Sequence, residues 1–192
     1  MITLEEKIKK EGKVFPGNVL KVGSFLNHMV DVPFMMTMAR EICDHYKGKE
    51  INKVLTVEAS GIALAVLVAS VLEVPAVFAK KNKTSNISDN LYSASVRSYT
   101  HNCVNTVVVE KPYLTGADKV LVVDDFLASG SATEGLTELI RQAGAELVGI
   151  AVAIEKGFQD GGKILRESGV DVCSLAIVES MSDRDIVFRH TK

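Results

Sequence analysis

The sequence predicts an α/β protein built on a mostly parallel, twisted sheet flanked by helices. Three observations carry this reading. Short runs rich in Val, Ile and Leu recur at residues 53–57, 75–79, 104–110, 119–123, 147–154 and 170–178. Stretches with helical character separate several of them, at 62–72, 131–142 and 158–168. The strand-like runs are nearly unbroken by polar residues, which marks strands covered on both faces, as parallel strands are.

The first helix is set by Leu4 and Ile8, one turn apart, with Thr3 and Glu6 placed for a capping box and Gly12 at its end. Residues 14–30 contain Pro16, Gly17 and Gly23 and read as short extended pieces. Asp31 is placed to cap a second helix with Pro33 in its first turn. In that helix Phe34, Met38, Ile42 and Tyr46 share one face, and the Met-rich stripe reads as core.

After the strand at 53–57, Glu58-Ala59-Ser60-Gly61 reads as a turn into the helix at 62–72. Residues 80–100 are polar, basic at their start and rich in Ser and Asn. So long a segment is expected to be a loop that is either a functional lid or disordered. Residues 111–118 link two strands, and Ala143-Gly144-Ala145 forms the exit of the helix at 131–142. With no repeat and no separate linker, residues 1–192 are expected to form one domain.

Composition narrows the function. Hydrophobic residues make up 47% and charged residues 24%, as in ordinary globular enzymes. A net charge of -2 argues against a general nucleic-acid or membrane-surface binder. The 3 cysteines, Cys43, Cys103 and Cys173, form no CxxC pair, which argues against a zinc site or a disulfide framework. The longest apolar stretch, 62–72, is too short to span a bilayer, and the charged start lacks a signal-length apolar core. The expected location is the cytoplasm.

The strongest motif is VLVVDDFLASGSAT at residues 120–133. A buried strand is expected over 120–123, with Asp124 and Asp125 at its carboxyl end. A loop of mostly small residues, 126–131, then opens a helix. Ligands of open α/β sheets bind beyond the carboxyl ends of the strands. Small residues let backbone amides reach a phosphate, and the helix adds free N–H groups and the positive end of its dipole. Ala128, Ser129, Gly130, Ser131 and Ala132 therefore make a candidate phosphate cradle. Two carboxylates beside a bare anion would repel it. They make sense if they receive sugar hydroxyls or face a magnesium ion, so a ribose 5-phosphate fits.

Hydrophobic residues, a pair of acids and a small-residue loop resemble the PRPP-binding motif of the type I phosphoribosyltransferases. The resemblance implies their fold, with a small hood formed by the N-terminal and C-terminal segments. It implies transfer of the phosphoribosyl group of PRPP to a base, with Asp124 and Asp125 as the catalytic pair. Glu58-Ala59-Ser60-Gly61 resembles the pyrophosphate loop, so Ala59 and Ser60 are expected at the diphosphate. Lys80, Lys81 and Lys83 would begin the loop that closes over it. Mg2+ would arrive with PRPP, with no protein-held metal site expected.

Residues 20–31 (LKVGSFLNHMVD) and Glu155-Lys156-Gly157-Phe158 are similar to the bacterial xanthine phosphoribosyltransferases. That likeness implies base contacts at Leu20, Asn27 and Lys156, a homodimer and a role in purine salvage. The chemistry agrees. A lysine ammonium can donate to the 6-oxygen of an oxopurine but finds no acceptor at adenine's amino group. Asn27 both donates and accepts, as a lactam edge requires.

Three other readings stand beside this one. The base could be guanine, hypoxanthine, adenine or orotate. The chain could be a non-catalytic PRPP-binding regulator, although its first thirty residues are short for a DNA-binding module and linker. A generic nucleotide-binding domain is disfavoured because neither GxGxxG nor GxxxxGK[ST] occurs.

Overall fold

The computed structural model describes residues 3–81, 90–98, 103–182 and 185–189. Helix α1 spans Leu4–Glu11, and its capping box forms as expected between Thr3 and Glu6. Strands β1 (Lys13–Phe15) and β2 (Val19–Lys21) pair as a small antiparallel hairpin. A π-helical turn, Gly23–Asn27, follows, and Asp31 caps α2 (Val32–His45) by accepting from the Phe34 N–H. Phe34, Met38, Ile42 and Tyr46 are all buried, as the helical spacing requires.

The remaining elements are β3 (Lys53–Val57), α3 (Ile62–Leu72), β4 (Ala76–Lys81), β5 (Leu91–Ser98), β6 (Cys103–Glu110), β7 (Lys119–Leu127), α4 (Ser131–Ala143), β8 (Glu146–Lys156), α5 (Gly161–Glu167), β9 (Val172–Met181) and β10 (Ile186–Phe188). Eight strands form the main sheet in the order β10-β9-β8-β7-β3-β4-β6-β5. Pairs from β4 through β3, β7 and β8 to β9 are parallel. The two edges are antiparallel. The chain runs outward from β3 to β4, then returns to place β7 on the other side of β3. The C-terminal ends of β3 and β7 thus flank the switch point, where open sheets bind ligands.

One core lies between the sheet and α1, α2 and α3; the other lies between the sheet and α4. The first is sealed by Tyr46, whose hydroxyl donates to the carbonyls of Ile150 and Asp171 at 3.0 Å each. Gly149 lies so close that a Cβ would meet the Tyr46 ring, at 2.5 Å from Cε1. The hairpin and π-turn form a hood at the C-terminal ends of β7 and β8, joined to them through Asn27 to Asp125 and Lys156 to the Asn18 carbonyl. Val14, Phe15, Asp185 and Ile186 line a shared cleft, so the C-terminal segment adjoins the hood while β10 extends the sheet.

The structure corrects four sequence expectations. The segment 80–100 is not one long loop. Residues Leu91–Ser98 form β5, antiparallel to β6, and Lys80 and Lys81 lie on β4. The cause is visible in the side chains. Ala94 is buried, and Tyr92 and Val96 pack against the α4-side core, a period of two diluted by intervening serines. Residues 82–89, with the expected lid residue Lys83, lie outside the described residues. Strand β7 runs through the two aspartates to Leu127, because its pairing with β8 continues to Leu127 and Glu155. The small-residue loop is accordingly shorter than 126–131. Helix α5 starts at Gly161, three residues after the expected 158.

Candidate functional site

Two strand ends build the centre of the site. After β3, the chain turns at Glu58-Ala59-Ser60-Gly61 into α3, and the Glu58–Ala59 peptide is cis. Gly61 has no room for a side chain: a Cβ would lie 2.5 Å from Asp124 Oδ1 and overlap the Thr56 hydroxyl. That hydroxyl is buried and has no hydrogen-bond partner among the described residues. The Lys81 N–H donates to Glu58 Oε1 at 2.6 Å, tying β4 to the turn.

After β7, Ala128, Ser129 and Gly130 lead into α4. Gly130 has φ of 90°, a left-handed conformation that glycine adopts without strain. No side chain caps α4, so its first-turn amides are available to an anion. The Gly130 carbonyl accepts from the Glu134 N–H at 2.8 Å and from the Thr133 hydroxyl at 2.7 Å, which fixes the loop's orientation. Ser129 Oγ and Ser131 Oγ lie 3.1 Å apart. Ala132 follows in the same turn, half-buried. The structure therefore brings the five expected cradle residues into one bend.

The two aspartates have different surroundings. Asp124 accepts from the Asp125 N–H at 2.9 Å. Burial pushes its carboxyl well above the usual carboxylate value, and the neighbouring Asp125 charge adds to the shift. Lys81 pulls the other way and is outweighed. Asp125 accepts from two sides: from Ser60 Oγ at 2.9 Å and from Asn27 Nδ2 at 2.9 Å. One carboxylate thus joins the β3 turn, β7 and the hood. This convergence could not be read from the sequence, since Asn27 and Asp125 are 98 residues apart.

This arrangement offers two acids at a switch point, a glycine-containing turn on one side and an uncapped helix on the other. The family model for the phosphoribosyl transferase domain matches residues 33–174, which span both turns. The chain belongs to the phosphoribosyl transferase family. It is 49% identical over 188 residues to the xanthine phosphoribosyltransferase of Ligilactobacillus salivarius, covering 98% of each chain. It is 47% identical over 190 residues to xanthine phosphoribosyltransferase 1 of Clostridium perfringens, covering 98% of this chain and all of that one. Among solved structures, the adenine phosphoribosyltransferase of Giardia lamblia complexed with 9-deazaadenine superposes with a TM-score of 0.80. That likeness covers 94% of this chain and 100% of the other at 23% identity, and it shows the shared fold.

Within this phosphoribosyl transferase, the hood meets the end of β8. Lys156 Nζ donates to the Asn18 carbonyl at 3.0 Å, and burial lowers the lysine's affinity for its proton. Leu20 is buried in β2 beside this contact, and Asn27 is exposed at the end of the π-turn. Leu20 and Asn27 thus lie on the hood, and Lys156 lies at the strand end that the hood meets through Asn18. Ala59 and Ser60 are exposed on the β3 turn, while Lys81 sits on β4, not in a loop. Sequence reasoning passed over Glu155 as a structural group. It is buried beside Lys156 and bound by Arg166. The doublet Gly161-Gly162 was the available signal, because adjacent glycines in a helix imply close approach of other groups.

Proposed function

We propose that this chain is a xanthine phosphoribosyltransferase, a pentosyltransferase of purine salvage that converts xanthine and PRPP to XMP and pyrophosphate. The observation that carries the proposal is the convergence of Ser60 and Asn27 on the Asp125 carboxylate, beside an uncapped helix. The relatives' names supply the base.

In this reading Ala128, Ser129, Gly130, Ser131 and Ala132 hold the 5-phosphate through amides and hydroxyls. The Asp125 carboxylate receives the ribose diol, exchanging its bonds to Ser60 and Asn27 for bonds to the sugar. Ala59, Ser60 and Lys81 hold the diphosphate. Leu20, Asn27 and Lys156 meet the base, with the Lys156 ammonium donating to the 6-oxygen. The C1–O bond breaks with its electron pair leaving on the diphosphate. A purine nitrogen then bonds to C1, and the base loses a proton. Asp124 and Asp125 stabilise the positive charge that develops on the sugar.

Adjacent carboxylates are hard oxygen donors, and Mg2+ is commonly bound by one or two carboxylates together with substrate phosphates. When bound, it would neutralise charge on the leaving diphosphate. We further read residues 1–192 as one domain, acting as a homodimer in the cytoplasm. No helix among the described residues is long and apolar enough to cross a membrane.

The test is a panel of xanthine, guanine, hypoxanthine and adenine with PRPP and Mg2+, following pyrophosphate release. Xanthine should give the highest kcat/KM. Lys156→Ala should lower kcat/KM for xanthine far more than it weakens PRPP binding. Faster turnover of another base, or no pyrophosphate release with any, would overturn the assignment.

A further inference from the structure

Helix α5 touches both ends of the site. At its start, the Gly161 N–H donates to the Ala128 carbonyl at 3.2 Å. Gly161 presses so closely on the phosphate loop that a Cβ would lie 2.6 Å from Gly130 N and 2.7 Å from the Ser129 carbonyl carbon. Further along α5, Arg166 forks over the Glu155 carboxylate, with Nη1 to Oε1 at 2.9 Å and Nη2 to Oε2 at 2.7 Å. Glu155 is 2% exposed and stands immediately before Lys156 on β8.

The fork is reinforced from β9. The Ser174 hydroxyl donates to Glu155 Oε2 and accepts from Arg166 Nη2 at 3.2 Å. Gly162 lets the carboxylate settle onto the helix: a Cβ there would come within 2.5 Å of Glu155 Cδ. Two adjacent glycines weaken a short helix. Here each admits a contact that a larger residue would block, one toward the phosphate loop and one toward Glu155. A bidentate guanidinium–carboxylate pair fixes orientation as well as charge.

We propose that Glu155, Arg166 and Gly161 are positioning residues that set the spacing between the phosphate loop and Lys156, and so between the ribose phosphate and the base. The proposal rests on the assignment of Lys156 to the base and of residues 128–132 to the phosphate. None of the three touches the reacting atoms. They act through Lys156 at one end and through the Ala128–Gly130 bend at the other. A small displacement of a bound reactant lowers turnover steeply, because proximity is lost.

Glu155→Gln keeps the shape of the side chain, and Arg166→Lys keeps the charge while replacing the fork with a single-point contact. Each should lower kcat/KM for xanthine about tenfold or more. The Kd for PRPP with Mg2+, from titration calorimetry, should change less than about twofold. Gly161→Ala should show the reverse emphasis, with PRPP binding weakened about tenfold. In the double variant Glu155→Gln/Gly161→Ala, the combined loss in kcat/KM should differ from the product of the single losses, because one strut is broken at both ends.

Folding is checked by circular dichroism. Should Glu155→Gln fail to fold, Arg166→Lys is decisive on the same readout. A lowered melting temperature with wild-type xanthine kcat/KM would overturn the proposal, as would equal losses for both substrates or independent losses in the double variant. Wild-type protein that does not turn over xanthine would instead undo the functional assignment on which the proposal rests.

Discussion

Two neighbouring parallel strands each bury a carboxylate near their C-terminal ends, and the two carboxylates meet opposite fates. Asp124 on β7 is 5% exposed and Glu155 on β8 is 2% exposed. Burial alone raises the pKa of both. At Asp124 the adjacent Asp125 reinforces that shift, and the carboxyl lies well above its ordinary value. At Glu155 the hydrogen bonds from Arg166 and Ser174, with the Arg166 charge, outweigh burial and bring the carboxyl below its ordinary value. The partner, not the depth, decides the direction of the shift. The β8 end has its cation built in and is a finished structural joint. Among the described residues the β7 end lacks a comparable built-in cation, and in the proposed function a ligand completes it.

The largest effect should come from making the β8 end resemble the β7 end. Arg166→Met leaves Glu155 buried without its cation, and such breaks cost about 3–5 kcal/mol. The low end is expected because the Arg166 side chain is 36% exposed. Urea unfolding at pH 7 measures it. Because the native Glu155 pKa is depressed, the pair's contribution is fully present above the unfolded glutamate pKa. It is lost as pH falls through the native value. The variant should therefore lose that part of the acid-side fall in stability, and an unchanged profile would count against the pair.

Next in size is the carboxylate proposed to meet the ribose. Asp125→Asn should reduce kcat about 100-fold, roughly 2.7 kcal/mol of barrier. Its unfolding midpoint should stay near wild type. Near-normal turnover would remove Asp125 from the chemistry.

The third prediction turns on a sign. Asp124 has a raised native pKa, so its carboxyl favours the folded state below the unfolded aspartate pKa. That advantage is lost as pH rises through the native value. Asp124→Asn should thus raise stability at pH 7–8, by about 1–2 kcal/mol as is usual when an active-site residue is relaxed. The gain should shrink toward pH 4. A loss of stability at pH 8 would show that the charged form is held in the free protein.

The smallest effect belongs to the hydroxyl beneath Gly61. Thr56→Val removes a buried donor with no partner among the described residues, at nearly constant shape, and should change stability by no more than about 1 kcal/mol, toward stabilisation. Destabilisation by several kcal/mol in thermal unfolding would mean that the hydroxyl has a partner.

Local signals were legible in the sequence. The Thr3–Glu6 capping box, the Asp31 cap and the strand at 53–57 with its turn and helix follow from spacing and cap chemistry within a few residues. The motif at 120–133 was legible because strand, acids and small residues are contiguous. Strand β5 was hidden because Ser93 and Ser95 face outward and make the whole segment look like a polar loop. Its inward set, Tyr92, Ala94 and Val96, carried the period of two. The joints of the site were not legible. Asn27 reaches Asp125 across 98 positions, and Lys156 reaches Asn18 across 138. Such contacts depend on the finished topology, not on neighbours in the chain.

The central claim is that a sugar phosphate completes what β7 leaves open, and a crystal structure with XMP tests it most directly. The account predicts the phosphate on the amides of residues 129–132, the ribose diol on the aspartates, and Asn27 and Ser60 drawn away from Asp125. A phosphate bound elsewhere, with Asn27 and Ser60 still seated on that carboxylate, would contradict it.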